Sequence, residues 1–172
     1  GNSAAAYEFN RQFHRALIDA ARNRFLLKSV NAIHKTLLIL GGTGLVGSSL
    51  VEQALAHPQV RRVFAPTRRP LTISDRLLNP LVDFDDLPPG APWWQADAVL
   101  CALGTTLSQA GSREQFYRVD HDYVLQAANY AHQAGTPVFV LNSSLGASPH
   151  SRSFYLRTKG KLETDIEGLG FG

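Results

Sequence analysis

Three glycines, spaced three residues apart, separate a short apolar run from a helical pattern near residue 40. The run "TLLIL" ends at Leu40, and Gly41, Gly44 and Gly47 follow it within "GGTGLVGSSLVEQALAHP". A dinucleotide-binding turn uses such spacing, because the turn is tight, the backbone approaches a pyrophosphate, and the helix packs closely on its strand. The helix N-terminus would then offer amide groups and the positive end of its dipole to the phosphates. The pattern predicts a phosphate-binding turn; a tight turn in a ligand-free α/β domain is the alternative.

After the glycine turn, short apolar runs alternate with helical patterns. We predict strands at "RRVFAP", "LVDF", "DAVLCALG" and "PVFVLN", a long helix within residues 111–135, and a last helix from about Ser153. Strands that alternate with helices form βαβ units around a parallel sheet. The fold class predicted for residues 35–172 is therefore α/β, a Rossmann-like doubly wound parallel sheet.

Residues 1–34 follow a different pattern. Apolar side chains recur there at steps of three and four residues, as in an amphipathic helix; these are Phe9, Phe13, Ala16, Leu17, Ala20 and Ala21. We predict an N-terminal helical extension as a separate unit, either native or fused to the domain. As a native segment it would pack on the domain, on a second copy in a homodimer, or on another protein.

Composition narrows the class of protein. A hydrophobic fraction of 44% with 18% charged residues is typical of a globular chain, and apolar runs of about five to seven residues are too short to span a membrane. The net charge of +3 comes with scattered arginines, which argues against a nucleic-acid surface. Cys101 is the single cysteine, so no internal disulfide forms, and we expect a reducing, cytoplasmic location. We interpret Cys101 as a small buried residue rather than a nucleophile.

The end of the second predicted strand indicates which dinucleotide would bind. NAD sites usually place an acidic residue about twenty positions after the glycines, where it binds the ribose 2′-hydroxyl. This chain has "APTRRP" there, with Arg68 and Arg69 in place of the acid. Guanidinium groups suit a 2′-phosphate in charge and in donor geometry. The sequence therefore favours NADP(H) over NAD(H), although Arg69 is also consistent with a solvated surface residue.

Further cofactor contacts are predicted at the ends of the third and fourth strands. Asp83 and the amide of Phe84 would meet the adenine, although Asp83 equally suits a capping role. Gly104 would let the backbone pass close to the cofactor, and the two threonines after it would bond ribose or phosphate. The remaining members of the predicted binding set are Thr43, Leu45, Val46, Leu103, Thr105 and Thr106.

A reaction centre is predicted after the fifth strand. Ser143 and Ser144 lie where ligands bind open α/β sheets, and Tyr155 and Lys159 share one face of the next helix. For carbonyl reduction or its reverse, Tyr155 would donate or accept the proton. A free phenol has a pKa of about 10, and the Lys159 ammonium would favour the phenolate form. Lys159 would also bond the nicotinamide ribose, and Ser143 would hold the substrate oxygen.

Several segments together resemble the short-chain dehydrogenase/reductase superfamily, and within it the atypical branch that includes the Tat-interacting-protein oxidoreductases. The segments are "GGTGLVG", "TRRP", "VDFDDL", "CALGTT", "AGSREQFYRVDHDYVLQAA", "NSSLGA" and "FYLRTKGKLE". The resemblance implies a Rossmann fold, NADPH at the glycine turn with Arg68, and a centre of Ser143, Tyr155 and Lys159. It also places Asp120 where the wider family often has an Asn that supports the active-site helix.

Both ends of the chain depart from that family. Its members continue beyond the position of Gly172 with a region that shapes the substrate pocket, so we expect a C-terminally truncated sheet and an unknown small-molecule substrate. The segment "FNRQFHRALIDAARNRFLLKSVNAI" instead resembles the FCD ligand-binding domain of GntR-type regulators. His14 matches a metal ligand of that family, but its partner ligands are missing, so no metal is predicted.

Three functions remain open from the sequence. The first is an NADP(H)-dependent oxidoreductase acting on a small carbonyl or alcohol, which the Ser, Tyr and Lys favour. The second is a non-catalytic NADP(H)-binding regulatory or interaction module. The third is a fragment of a ligand-responsive transcription regulator, which rests on residues 1–34 alone and lacks a helix-turn-helix reader.

Overall fold

The computed structural model describes residues 35–72 and 74–171. The predicted extension at residues 1–34, with His14 and its proposed subunit contacts, lies outside the described residues. Five short strands form the centre of the fold; they are β1 (Lys35–Leu40), β2 (Val60–Phe64), β3 (Leu77–Leu78), β4 (Ala98–Cys101) and β5 (Phe139–Leu141). All pairings are parallel, in the order β3-β2-β1-β4-β5. The predicted parallel sheet is confirmed.

Within residues 35–72 and 74–171, five α-helices connect or follow the strands. They are α1 (Leu45–Ala56), α2 (Leu107–Ala110), α3 (Arg113–Tyr117), α4 (Tyr123–Gln133) and α5 (Phe154–Glu167); a π-helical segment at Arg118–Asp122 joins α3 to α4, and a 3₁₀ turn covers Pro92–Trp94. Side chains cap several of these helices. The hydroxyl of Ser112 accepts from the Gln115 amide at the start of α3. Gly135, with φ +81°, stops the chain from continuing α4.

Alternate residues of β1 face two separate cores. Leu38 and Leu40 pack in the cluster that contains Val124 of α4 and Leu162 of α5. Leu37 and Ile39 pack in the cluster that contains Val51 of α1. Successive strand side chains point to opposite faces, so an unbroken apolar strand requires cover on both sides. The sheet is therefore doubly wound, as the sequence predicted.

The predicted position of the third strand was wrong. We predicted it at "LVDF", but β3 covers Leu77–Leu78, and Leu81 forms only an isolated bridge to Thr67. Pro80, just before Leu81, has no amide hydrogen to donate to a strand partner. Two residues further on, Asp83 accepts from the amide of Asp85 at 2.9 Å and turns the chain.

The tryptophans of the Pro-rich loop have a structural role. Trp94 is fully buried, stacks obliquely on Tyr130 of α4, and donates from its indole nitrogen to the Pro88 carbonyl at 2.7 Å. It therefore packs beneath α4 in the core. In the part of the chain that the structure describes, no helix is both long and apolar enough to cross a membrane.

Candidate functional site

The strands β1 and β4 are neighbours, but their connections leave to opposite faces of the sheet. The chain passes from β1 into α1 on one face, and from β4 towards α4 on the other. Such a reversal opens a crevice at the carboxyl ends of the two strands, where open α/β sheets bind ligands. The glycine turn and the segment Ala102–Thr106 both lie at this crevice.

The glycine turn is built from close backbone contacts. Gly41 has a φ of +82°, and its carbonyl accepts from the Gly44 amide at 2.9 Å. A Cβ on Gly47 would stand 2.0 Å from the Gly41 carbonyl oxygen, and one on Gly41 would stand 2.5 Å from that of Ala102. Real Cβ atoms do not approach backbone so closely. The turn therefore holds α1 against β1 and β1 against the end of β4, as the predicted motif requires.

The N-terminus of α1 is open to an anion. No side chain caps it at Gly44, and its first turn contains no acidic residue. Its first amides have no partner within the helix, and the helix dipole makes this end positive. Thr43 and Leu45 are exposed beside it and Val46 is half-buried. This end of the helix has the charge and the donors that a phosphate needs.

Hydrogen bonds fix the backbone of the two arginines after β2, and their side chains are exposed to solvent. The Thr67 hydroxyl donates to the Arg69 carbonyl at 2.6 Å, and Asn79 donates to the Thr67 hydroxyl at 2.7 Å. Arg68 and Arg69 are both exposed. Among residues 35–72 and 74–171, no carboxylate lies within salt-bridge distance of either guanidinium. The geometry therefore does not single out one of the two for a ligand.

Three of the other predicted contacts have structural partners. Asp83 caps its own loop, which was the alternative role considered for it. The side chain of Phe84 is buried, with its ring 5.9 Å from that of Tyr123, so only its backbone remains for a ligand. Thr106 caps α2 by accepting from the Gln109 amide at 3.1 Å.

A buried ion pair occupies the end of β4. The Lys159 ammonium lies 2.7 Å from Oδ1 of Asp120, with the two side chains 6% and 1% exposed. The amide of Thr105 donates to Oδ2 of the same carboxylate at 2.7 Å. A Cβ on Gly104 would stand 3.0 Å from Oδ1 and 3.4 Å from the ammonium. Gly104 was predicted to make room for a cofactor; in the structure, its missing side chain makes room for this pair.

The π-helical segment places two successive buried side chains against α5. Asp120 contacts Lys159, and the next residue, His121, contacts Asp165 through Nε2 at 2.8 Å. Its Nδ1 lies 2.8 Å from Asp122. π-bulges recur at functional sites because they change which side chains face inward. We predicted one regular helix here from the sequence. Helical periodicity does not place two successive side chains on the same neighbouring helix, so these two contacts with α5 could not be anticipated.

The proposed reaction residues lie on β5's following loop and on α5. The Ser143 hydroxyl is buried and has no hydrogen-bond partner among the described residues. Tyr155 is half-buried, its ring 5.6 Å from that of Phe116, and it precedes Lys159 by about one helical turn. A Cβ on Gly160 would stand 2.2 Å from the backbone of Ser148, so the serine loop lies directly on α5. The sequence analysis did not single out Gly160. A glycine inside a helix can indicate such a close packing contact.

Cys101 is buried, as the sequence predicted. Burial raises the pKa of its thiol to about 11, which keeps it protonated near neutral pH. Leu103, two residues after Cys101, is half-buried at the crevice.

An open groove of about 420 Å³ lies away from this centre, between the loop after β3 and helices α3 and α4. Its lining is mostly charged or polar and includes neither the glycine turn nor Lys159; it consists of Phe84, Asp85, Glu114, Gln115, Arg118, Asp122, Tyr123 and Gln126. We place the site at the β1–β4 crevice, because the buried polar groups converge there. No group of three potential metal-binding side chains occurs within the described ranges.

Comparison with known proteins agrees with this geometry. The model of the NAD dependent epimerase/dehydratase family matches residues 37–159, from β1 through the glycine turn to Lys159. The chain belongs to this family. The resemblance to atypical short-chain dehydrogenases/reductases, drawn from the motifs, is thereby confirmed.

Curated relatives of this epimerase/dehydratase-family chain are similar over the same region. Protein HTATIP2 of Rattus norvegicus is 38% identical over 143 residues, which are 80% of this chain and 59% of the relative. Protein FMP52, mitochondrial, of Candida albicans is 38% identical and covers 77% of this chain and 61% of its own length. The chain thus spans about three fifths of the length of the relatives it matches.

A solved structure of MoeE5 in complex with UDP-glucuronic acid and NAD shares the fold. It superposes with a TM-score of 0.66 at 21% identity, over 78% of this chain and 49% of MoeE5. The Rossmann-type assignment is confirmed by this likeness.

The N-terminal resemblance is also confirmed. An FCD domain model matches residues 1–62. Residues 35–62 of that match form β1, α1 and the first three residues of β2, which are part of the epimerase/dehydratase-family fold.

The expected cytoplasmic location is wrong by this comparison. Several relatives, from Candida albicans, Saccharomyces cerevisiae and Debaryomyces hansenii, carry the word mitochondrial in their names. A single reduced cysteine is compatible with any reducing compartment, so it could not support the narrower expectation.

Proposed function

We propose that this chain is an NADP(H)-binding oxidoreductase that transfers hydride to or from a small carbonyl or alcohol. The observation that carries the proposal is the buried Lys159 ammonium at the end of β4, beside Gly104 and about one helical turn from Tyr155. It lies at the same edge of the sheet as the glycine turn, so one dinucleotide would reach both.

A nicotinamide dinucleotide fits the residues of the crevice. The uncapped N-terminus of α1 suits a pyrophosphate, and the glycine turn brings backbone close to it. The family is named for NAD dependence, and MoeE5 was solved with NAD. Within that class we infer NADP(H), since Arg68 and Arg69 replace the acidic residue that a free 2′-hydroxyl would favour.

The chain's own groups would handle the proton and the substrate oxygen. When bound, the nicotinamide supplies or accepts the hydride. Tyr155 would give its phenolic proton to the carbonyl oxygen, or take it back in the reverse direction. The Ser143 hydroxyl is buried and unpartnered among the described residues, so it is available to hold the substrate oxygen.

Thermal unfolding tests the cofactor assignment. A ligand that binds only the folded state raises the melting temperature, and the rise grows with the ratio of its concentration to its dissociation constant. We expect NADPH to raise the melting temperature more than NADH at equal concentration. An absence of any shift with both would overturn the proposal.

Substitution Tyr155→Phe tests the catalytic assignment. Loss of a positioned general acid typically lowers turnover by about 10²–10⁴-fold. We expect NADPH oxidation with a panel of small aldehydes and ketones to fall by this amount, while NADPH still raises the melting temperature. Tyr130→Phe is the control, since the Tyr130 hydroxyl contacts Gln126 on α4. Undiminished turnover in Tyr155→Phe would exclude the role.

A wild-type protein that binds NADPH but oxidises it with no compound of the panel would favour the second function. That function is a non-catalytic NADP(H)-binding regulatory module. Measurements of NADPH binding and of NADPH turnover therefore distinguish the oxidoreductase from the regulatory module.

A further inference from the structure

The pairing between the chain after β2 and the chain after β3 has a gap, which an asparagine side chain fills. The Ala65 amide donates to the Leu78 carbonyl at 2.9 Å. Two residues later, the Thr67 amide donates to the Pro80 carbonyl at 3.0 Å. In this parallel register the amide of residue 80 would donate to the Ala65 carbonyl, but a proline has no amide hydrogen. The Asn79 side chain supplies that donor, with Nδ2 at 2.6 Å from the Ala65 oxygen.

The same side-chain amide makes two more contacts, both with the segment that carries the arginines. Its Nδ2 also donates to the Thr67 hydroxyl at 2.7 Å, and its Oδ1 accepts from the Leu71 amide at 2.7 Å. The Thr67 hydroxyl in turn donates to the Arg69 carbonyl at 2.6 Å. Filling the gap in the sheet requires only one of the bonds that Asn79 makes. The other two fix the chain before and after Arg68 and Arg69.

The arginine segment depends on these side-chain bonds for its order. Pro66 and Pro70 lie on either side of the arginines, and neither has an amide hydrogen with which to bond the backbone to a neighbour. Thr67 is only 3% exposed, so water does not compete for its hydroxyl. The backbone is thus fixed from a protected position, while both guanidinium groups remain exposed.

A fixed backbone matters for an anion that arginine side chains would bind. An arginine on a loose loop loses backbone freedom as well as side-chain freedom on binding, and each loss weakens the affinity. A backbone that is ordered in advance avoids the first of these losses. The 2′-phosphate distinguishes NADPH from NADH, so this gain would apply to NADPH alone.

We propose that Asn79 is a positioning residue that sets the preference for NADP(H): its side-chain amide orders the backbone of Arg68 and Arg69 so that their guanidinium groups can meet a 2′-phosphate. The inference rests on the proposed function for the identity of the ligand. Asn79 acts through the arginines and does not itself contact the dinucleotide.

The test compares the dissociation constants of NADPH and NADH, measured by isothermal titration calorimetry. We expect Asn79→Ala to raise the dissociation constant of NADPH about tenfold and to leave that of NADH within about twofold. A residue that only stabilised the fold would affect both dinucleotides alike. An unchanged ratio of the two dissociation constants would overturn the proposal.

Two comparisons separate this effect from general disturbance. Asn129→Ala is the matched control, because the Asn129 amide donates to the Leu125 carbonyl on its own helix, α4, at 2.9 Å; it should leave the ratio unchanged. In a protein that already carries Arg68→Ala and Arg69→Ala, adding Asn79→Ala should not change the ratio further. A further change there would show that Asn79 does not act through the arginines.

A second variant decides the question if Asn79→Ala does not fold. Thr67→Val removes the hydroxyl that joins Asn79 to the Arg69 carbonyl and keeps the shape of the side chain. A weaker preference for NADPH in Thr67→Val supports the proposal, and a wild-type preference overturns it.

Limited trypsin digestion without dinucleotide measures the order of the segment directly. Trypsin cleaves after Arg68, whereas the bond after Arg69 precedes Pro70 and resists cleavage. Cleavage after Arg62, within β2, requires the sheet to open and serves as the internal reference. We expect Asn79→Ala to raise the rate of cleavage after Arg68, relative to this reference, several times. An unchanged relative rate would overturn the proposal.

The proposed function fails on different grounds. If the wild-type protein binds neither dinucleotide, the oxidoreductase assignment is lost, whereas the digestion still reports whether Asn79 orders the segment. If the wild type prefers NADPH and Asn79→Ala keeps that preference, only the role of Asn79 is lost.

Discussion

The proposed dinucleotide site has two ends that are built in different ways. At the carboxyl ends of β1 and β4, close backbone packing and a buried ion pair set the geometry, around Gly41, Gly47 and Lys159. At the end of β2, exposed guanidinium groups of Arg68 and Arg69 stand on a backbone that Thr67 holds. The first end has no space for larger side chains and would determine the class of ligand. The second end can change freely and would determine which member of that class binds.

The largest expected effect comes from breaking the buried pair with Lys159→Met. Removing one partner of a buried pair leaves an uncompensated charge and typically costs about 3–5 kcal/mol of unfolding free energy. Lys161→Met is the matched control, because Lys161 is exposed and its loss should cost about 1 kcal/mol or less. Urea unfolding of the two variants measures the difference; equal losses would show that the buried pair contributes nothing special.

The loss of unfolding free energy in Lys159→Met should also depend on pH. Without the ammonium, burial raises the pKa of Asp120 further, since Lys159 is the group that opposes the rise. An acid whose pKa is higher in the folded state stabilises the fold at low pH and loses that contribution as the pH rises. The deficit relative to wild type should therefore shrink as the pH is lowered from about 8 to about 5. A constant deficit would contradict this account.

A smaller effect is expected from Gly47→Ala. Its Cβ would stand 2.0 Å from the Gly41 carbonyl oxygen, so the backbone of the turn must move, at a cost of about 1–3 kcal/mol. NADPH stabilisation should be lost with it, because the turn would no longer approach a pyrophosphate. Gly90→Ala is the control, since a Cβ there has no atom within 4 Å. Similar melting temperatures for Gly47→Ala and Gly90→Ala would show that the turn at Gly47 is not as tightly packed as described.

The smallest effect on the fold is expected at the second end. Arg68→Ala should leave the melting temperature of the free protein within experimental error, because Arg68 is exposed. Loss of a charge-assisted contact of about 1.5–3 kcal/mol should weaken NADPH binding roughly tenfold or more and leave NADH binding unchanged. Arg69→Ala, measured in the same way, shows which guanidinium matters. An equal loss for NADPH and NADH would remove the link to the 2′-phosphate.

Features that depend on a short stretch of sequence could be predicted from the sequence alone. The strand–turn–helix pattern around Gly41, Gly44 and Gly47 is local, so its fold could be inferred from spacing alone. The strands β1, β4 and β5 carry short apolar runs, and β2 has apolar residues on either side of two arginines; all four were placed within a few residues. "LVDF" misled because an apolar run after Pro80 looks like a strand while lacking the amide donor that a strand would use.

Contacts distant in sequence could not be inferred in this way. The Asp120–Lys159 pair joins residues on separate helices, and spacing within one helix indicated only the pairing of Tyr155 with Lys159. The family resemblance marked Asp120 as a position of interest without its partner. Gly160 was visible as a helix-interior glycine, but only the fold shows that Ser148 is the backbone it accommodates.

The π-helical segment at Arg118–Asp122 carries a consequence for how this chain tolerates insertions and deletions. Such a segment contains one residue more than an α-helix of the same pitch would need. Deleting one residue there would let α3 and α4 join as a regular helix, and everything on one side would rotate by about 100° relative to the other. Asp120 and His121 could then not both reach α5. The number of residues between Phe116 and Val124 is therefore a fixed length of the molecule.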